Sequence, residues 1–181
     1  MTTEKIQFEN YEMRLLAESD LDNYFESGFA NPDDESCYYS GCVNTYNKDQ
    51  IKDYIKKVTT DESRFDFLIL TGNEIVGEVV LNDIEGDTCH YRICIFDKKN
   101  FSKGIGRRAT IEAFKYAFDT LGIKTIDLEV FPFNERGIAL YKKLGFKTTD
   151  QIIDEDAQSP YRDIIIMELS ADDFRNALAK L

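Results

Sequence analysis

The chain holds a single histidine, His90, among 181 residues. One histidine cannot supply a metal site that needs several imidazoles. Its neighbour Cys89 does not rescue a thiol–imidazole pair, because adjacent strand residues point to opposite faces. Proline occurs three times, so long linkers are not expected. No apolar run approaches the ~20 residues of a membrane span, and Met-Thr-Thr-Glu-Lys carries neither a signal-peptide h-region nor a lipidation motif. No membrane association and a cytoplasmic location are therefore expected. Cations are scarce as well: Lys and Arg number 22 against 34 Asp and Glu, a net charge of −12. A chain so acidic lacks the basic face that nucleic acid requires; its carboxylates either draw in cationic molecules or keep the protein soluble. The four cysteines fall at positions 37, 42, 89 and 94, without the C-x-x-C spacing of a zinc knuckle. Reduced thiols and no metal are expected.

Against this acidic background, Lys98-Lys-Asn-Phe-Ser-Lys-Gly104-Ile-Gly106-Arg107-Arg108-Ala109 stands out. Five cations gather there, and no carboxylate occurs between Lys98 and Ile111. Arg107 and Arg108 fall in the first turn of an expected helix, where the macrodipole disfavours cations by roughly 0.3–1 kcal/mol each unless an anion is present. A phosphate-bearing ligand resolves the conflict: glycines admit the phosphate to backbone N–H groups, and the helix start adds its own donors. Gly104-Ile-Gly106-Arg-Arg-Ala109 also fits the dinucleotide fingerprint G-x-G-x-x-G/A, with Asp127 or Glu129 about 20 residues on. That fingerprint, however, needs its first glycine directly after a strand, whereas Asp97 to Lys103 intervene here.

The pattern predicts a strand over Tyr11–Leu16, a helix from Ser19 towards Ala30, and a polar loop as far as Tyr46. A helix follows from Asn47 with Ile51, Tyr54, Ile55 and Val58 on one face. Strands are expected over Arg64–Leu70, Ile75–Leu81 and Thr88–Phe96, with turns at Thr71-Gly72-Asn73 and Glu85-Gly86-Asp87. A helix over Gly104–Leu121 carries a core stripe of Ile105, Ala109, Ala113, Phe114, Ala117, Phe118 and Leu121. Next come a strand over Thr125–Phe131, a helix over Glu135–Leu144, strands near Phe146–Ile153 and Asp163–Leu169, and a helical tail from Asp172. This order implies an α/β (α+β) fold in one domain, residues 1–181, with a mixed sheet and helices on both faces.

Two blocks carry a family resemblance. Phe101-Ser-Lys-Gly104-Ile-Gly106 fills [Q/R]-x-x-G-x-[G/A] with phenylalanine at its first position, and Val130 to Phe146 matches V-x-x-x-N-x-x-[A/G]-x-x-[L/F]-Y-x-K-x-G-F at every fixed position. The chain thus resembles the GNAT acyltransferases, specifically the branch of ribosomal-protein and spermidine N-acetyltransferases. In that branch an aromatic precedes the glycine loop, and Ser102 stands where the branch has glycine. The resemblance implies a mostly antiparallel central sheet and acetyl-CoA as co-substrate. It implies a primary amine acceptor, either a small molecule such as a polyamine or a protein N-terminus, and is compatible with a homodimer.

By the same resemblance the main chain of Ile95 and Phe96 holds the pantetheine, with an N–H near Phe96 as oxyanion donor. The loop of Phe101, Lys103, Gly104, Ile105, Gly106, Arg107 and Arg108 takes the pyrophosphate. Asn134 bonds the cofactor and caps the helix carrying Tyr141. Seven residues separate them, about two helical turns, so both can face one ligand. With a pKa of ~10, Tyr141 can protonate the leaving sulfur. An amine acceptor with pKa ~10.4 arrives protonated, and Glu78 and Glu129 are the candidates to receive that proton. Two other readings stay open: a non-catalytic CoA-binding sensor and a nicotinamide-dependent dehydrogenase.

Overall fold

The computed structural model describes residues 5–42 and 44–181. Eight strands form one sheet with hydrogen-bonded order β1-β2-β3-β4-β5-β6-β8-β7. They are β1 (Lys5–Phe8), β2 (Tyr11–Leu15), β3 (Phe65–Thr71), β4 (Glu74–Glu85), β5 (Thr88–Ile95), β6 (Thr125–Val130), β7 (Lys147–Ile153) and β8 (Asp163–Ser170). The helices are α1 (Leu21–Gly28), α2 (Asp34–Ser40), α3 (Lys48–Val58), α4 (Ile105–Lys115), α5 (Glu135–Lys143) and α6 (Ala171–Leu178). The expected mixed, mostly antiparallel sheet is present. The chain divides into two compact units: residues up to Asn82 with Ile93–Lys115, and Asp83–Arg92 with Tyr116–Leu181.

In the first unit β1 to β4 pair successively in antiparallel register, with a bulge at Ile69/Leu70. Asp66 to Leu70 of β3 are all buried, so this strand is covered on both faces. On one face Leu68, Leu70 and Ile75 meet Tyr24 of α1 and Ile51, Ile55 and Val58 of α3. Each such side chain contributes roughly 1.5–3 kcal/mol when fully buried. A reciprocal cap starts α3: Asn47 Oδ1 accepts from the Gln50 N–H at 2.9 Å, and Gln50 Oε1 accepts from the Asn47 N–H at 2.9 Å. Tyr54, on the apolar stripe in sequence, is half-buried and uses its hydroxyl on Asp66 at 2.8 Å. Arg64 grips the same carboxylate at 2.7 and 2.8 Å.

Three expectations need correction. β1 is a strand where none was foreseen. Asp34–Ser40 is helical rather than loop, because Asp33 accepts from the Ser36 N–H at 2.9 Å and Gly41, at φ 70°, closes the far end. The helix expected over Gly104–Leu121 stays α-helical only to Lys115; Tyr116–Thr120 continues as a π-turn.

In the second unit β5 pairs β6 in parallel over Thr88–His90 and Thr125–Asp127, and β6 continues along β8 in antiparallel register to Val130–Ile165. β7 closes that edge; all seven of its residues are exposed, and its register with β8 shifts between Thr148 and Asp150. The four cysteines are free thiols, with Cys89 buried and the other three half-buried, as expected.

Candidate functional site

The end of β5 is held from two sides. Ile95 offers its carbonyl to the Ser36 hydroxyl at 2.5 Å, and the Phe96 N–H donates to the Val76 carbonyl at 3.0 Å. The Phe96 N–H is thus committed within the sheet, which leaves an oxyanion donor near Phe96 to a neighbouring N–H. Gly77 makes the close approach possible. A Cβ there would lie 2.4 Å from the Cys94 carbonyl oxygen, a distance no side chain tolerates.

Beyond β5 the basic loop folds on its own backbone. Asp97 accepts from the Lys99 N–H at 2.8 Å and opens a 3-10 turn over Lys98–Asn100. That bond, with help from the Lys99 ammonium, holds the Asp97 carboxyl below its usual range. Asn100 is buried and receives Lys103 Nζ at 3.2 Å. Phe101 packs edge-on against Tyr39 of α2, ring centroids 6.4 Å apart. The backbone then turns left-handed at Ser102 (φ 61°) and again at Gly104 (φ 78°), flanking Lys103 immediately before α4. Such reversals gather successive N–H groups into an anion-binding concavity, and the free donors of a helix start lie next to it. Gly106 is less constrained: an added Cβ would sit 3.7 Å from Ile93, so alanine fits, as the G/A motif allows.

The two arginines behave differently. Arg107 is exposed. Arg108 folds back, donating from Nη1 to the Lys103 carbonyl at 2.9 Å and placing Nε 2.8 Å from Glu9 Oε1. The anion required at the helix start is therefore supplied, for Arg108, by the chain itself. No feature of the sequence near position 9 signals this.

Of the two carboxylates proposed from the sequence to receive a proton, Glu78 is half-buried on β4 and accepts from the Tyr24 hydroxyl at 2.5 Å. Phe29 and Phe96 surround that phenol, with centroids 5.0 and 5.9 Å away. Burial, then the Glu78 charge, pushes Tyr24 well above 10. Glu129 is exposed on β6.

In the second unit Asn134 caps α5 as expected: its Oδ1 accepts from the Gly137 N–H at 2.9 Å. An added Cβ at Gly137 would press within 2.9 Å of the Asn134 amide, so the alanine that the motif also allows would require that side chain to shift. Tyr141 is 8% exposed and packs against Tyr91 and Phe146 at centroid distances of 6.3 and 5.6 Å. Its hydroxyl has no hydrogen-bond partner among the described residues, so the phenol is not tied to a carbonyl. Burial pushes it up to about 12. His90 Nδ1 lies 2.5 Å from Asp127 Oδ1, one strand pair occupied with itself. Among the described residues no group of His, Cys, Asp or Glu could hold a metal ion, and no helix is long and apolar enough to cross a membrane.

Sequence reasoning missed Glu9, Tyr24 and Ser36. Each acts on a partner at least 54 residues away, beyond the reach of any local pattern.

A family model for the acetyltransferase (GNAT) domain matches residues 11–147. Acetyltransferase PseH of Campylobacter jejuni (strain 81-176) is 30% identical over 98 residues, 54% of this chain and 60% of that protein. The chain thus spans about 60% of the length of the curated relatives it matches. Among solved structures, spermidine N-acetyltransferase from Vibrio cholerae, in complex with CoA and spermine, superposes with a TM-score of 0.78 at 22% identity, over 92% of this chain and 99% of that one. Ribosomal-protein-S5-alanine acetyltransferase from Vibrio fischeri gives 0.74 at 20% identity, over 94% and 98%. At these identities the structural likeness speaks for the fold.

Proposed function

Because the chain belongs to the acetyltransferase (GNAT) family, we propose that it moves an acetyl group from acetyl-CoA to a primary amine. The observation that carries this reading is the paired left-handed backbone at Ser102 and Gly104, set at the start of α4 in a stretch of five cations within an acidic chain. The cradle fits a pyrophosphate. The N–H groups of Lys103 to Arg107 would hold it, with Arg107 adding charge and Phe101 forming one wall; Ile95 and Phe96 contribute main chain to the arm beyond. The bound co-substrate supplies an activated thioester.

The rest falls to residues of this chain. Glu78 receives a proton from the arriving ammonium, because it is half-buried and already oriented by Tyr24; exposed Glu129 is the weaker candidate. The freed nitrogen forms its bond to the acetyl carbon, the carbon–sulfur bond breaks, Tyr141 gives its proton to sulfur, and the second proton lost from nitrogen returns to the Tyr141 oxygen directly or through water. Burial keeps that phenol protonated at neutral pH. Asn134 shapes the start of the helix that carries Tyr141. The products are an N-acetylated amine and a free thiol, without a metal. Residues 1–181 act as one catalytic domain, in the cytoplasm, and assembly as a homodimer completes this reading. The acidity of the chain, −12 overall, supports a cationic acceptor such as a polyamine.

Thiol release from acetyl-CoA, measured with and without spermidine, spermine, an aminoglycoside, a peptide with a free N-terminus and small monoamines, tests the proposal. Amine-dependent release with an acetylated product supports it. CoA binding without release across the whole panel would instead favour a sensor, and binding of a nicotinamide nucleotide in place of CoA would overturn the cradle assignment.

A further inference from the structure

We propose that Tyr24 is a positioning residue, holding the Glu78 carboxylate ionised and aimed so that it can receive the acceptor's proton; this rests on the role given to Glu78 above. The bond joins α1 to β4 across 54 residues, hydroxyl to carboxylate, at 2.5 Å. Tyr24 is 1% exposed, with its ring wedged between Phe29 and Phe96. A ring packed this way has little freedom to turn, so the core fixes the position of the phenol oxygen, and the hydroxyl hydrogen turns to the carboxylate.

Glu78 lies opposite Leu68 on β3, within the layer where Leu68, Leu70, Ile75 and Phe96 pack on α1 and α3. The polar and titratable groups facing this layer include Tyr24 from α1, Ser36 and Ser40 from α2 with Cys42 just after it, Tyr54 from α3, Arg64 just before β3, Asp66 within it, and Cys94 from β5. They divide into two kinds. Asp66 is clamped by the Arg64 guanidinium and by Tyr54, which makes a neutralised structural pair. The Tyr24–Glu78 bond is of the other kind, because a phenol adds a hydrogen bond and no positive charge. Cys94 is pushed up to about 12, by burial first and then by Glu78. Tyr24 itself rises well above 10, so near neutrality it keeps its proton and is not the base.

A hydrogen bond donated to a carboxylate favours its charged form. Glutamate labelled with carbon-13 at the carboxyl lets Glu78 be followed by NMR in the unliganded protein, its signal assigned by its loss in Glu78→Gln. The expected result is that Tyr24→Phe moves the Glu78 titration to higher pH, whereas 3,5-difluorotyrosine at position 24, a stronger donor of nearly the same shape, moves it to lower pH. Phenylalanine keeps the ring, and the second replacement keeps the hydroxyl as well, so the pair separates donation from packing. If Glu78 titrates at an unchanged pH in both proteins, Tyr24 is a packing residue and the proposal is overturned. Glu78→Gln tests the underlying reading separately. Loss of thiol release by about 10²-fold or more across the amine panel supports it, and wild-type release with any of those amines removes Glu78 as proton acceptor.

Discussion

Arg108 Nε lies 2.8 Å from Glu9 Oε1, so the cation in the first turn of α4 is neutralised by the turn between β1 and β2. Position 9 is itself left-handed, at φ 53°. Exposed ion pairs contribute only about 0.2–1 kcal/mol, so this one can be exchanged for a better anion at little cost. Glu9→Gln removes a negative charge beside the loop and releases Arg108 towards phosphate. Calorimetry at low salt is expected to show acetyl-CoA binding two- to fivefold tighter, with the gain vanishing in high salt. Weaker binding would instead make Glu9 the residue that orients Arg108.

Ser102 and Gly104 share a left-handed backbone but not the freedom to adopt it. A non-glycine residue held there costs of order 1–3 kcal/mol. Ser102→Gly is expected to raise stability to thermal unfolding by about 0.5–1 kcal/mol, the relief being partly offset by the greater freedom of the unfolded chain. Gly104→Val is expected to destabilise by about 1–3 kcal/mol and to weaken acetyl-CoA binding more than tenfold. The cause is backbone strain more than crowding, since the atom an added Cβ would meet, at 2.6 Å, is the flexible tip of Arg108. Unchanged affinity in Gly104→Val would remove the loop from the binding site.

Tyr141→Phe removes one oxygen from a ring packed between Tyr91 and Phe146. Turnover is expected to fall by ~10²-fold or more, the usual scale of a lost general acid, with acetyl-CoA affinity nearly intact. Normal turnover with weakened binding would assign this phenol to cofactor contact.

Alkali should unfold the protein over a defined window. Burial raises Cys89, Cys94 and Tyr141 to about 12, from ordinary values of 9 for the thiols and 10 for the phenol. Between those limits the folded chain holds protons that the unfolded chain has released, so stability falls as pH rises. Their contribution is intact below pH ~9 and lost by about 12. Urea unfolding midpoints measured from pH 8 to 11 should decline, and less steeply in Cys94→Ala. A flat profile would mean that these groups are solvated.

Much of this architecture was legible because burial imposes periods. Ile51, Ile55 and Val58 announce α3, and the alternation Ile126, Leu128, Val130 announces β6. The glycine loop was legible because cations at a helix start contradict the helix dipole. α2 escaped notice: Asp-Glu-Ser-Cys-Tyr-Tyr-Ser has no apolar period, and its signal lay only in the cap at Asp33 and the closing Gly41. The partners of Arg108, Glu78 and Ile95 were not legible at all, because Glu9, Tyr24 and Ser36 meet them only through the tertiary fold. The committed Phe96 N–H was hidden for the same reason, its acceptor at Val76 lying on another strand.

β7 leaves one border of the sheet open to the medium, with Ile152 and Ile153 uncovered, 63% in the case of Ile153. A ladder left unpaired in this way is a template on which a concentrated protein nucleates its own precipitation. Lys147, Asp150 and the slip between Thr148 and Asp150 interrupt that template, placing charge and a kink where an incoming strand would need a straight, uncharged rail. Shelf life at high concentration therefore hangs on one short polar stretch, and a neutral β-branched residue at position 150 would turn a colloidally quiet border into a sticky one.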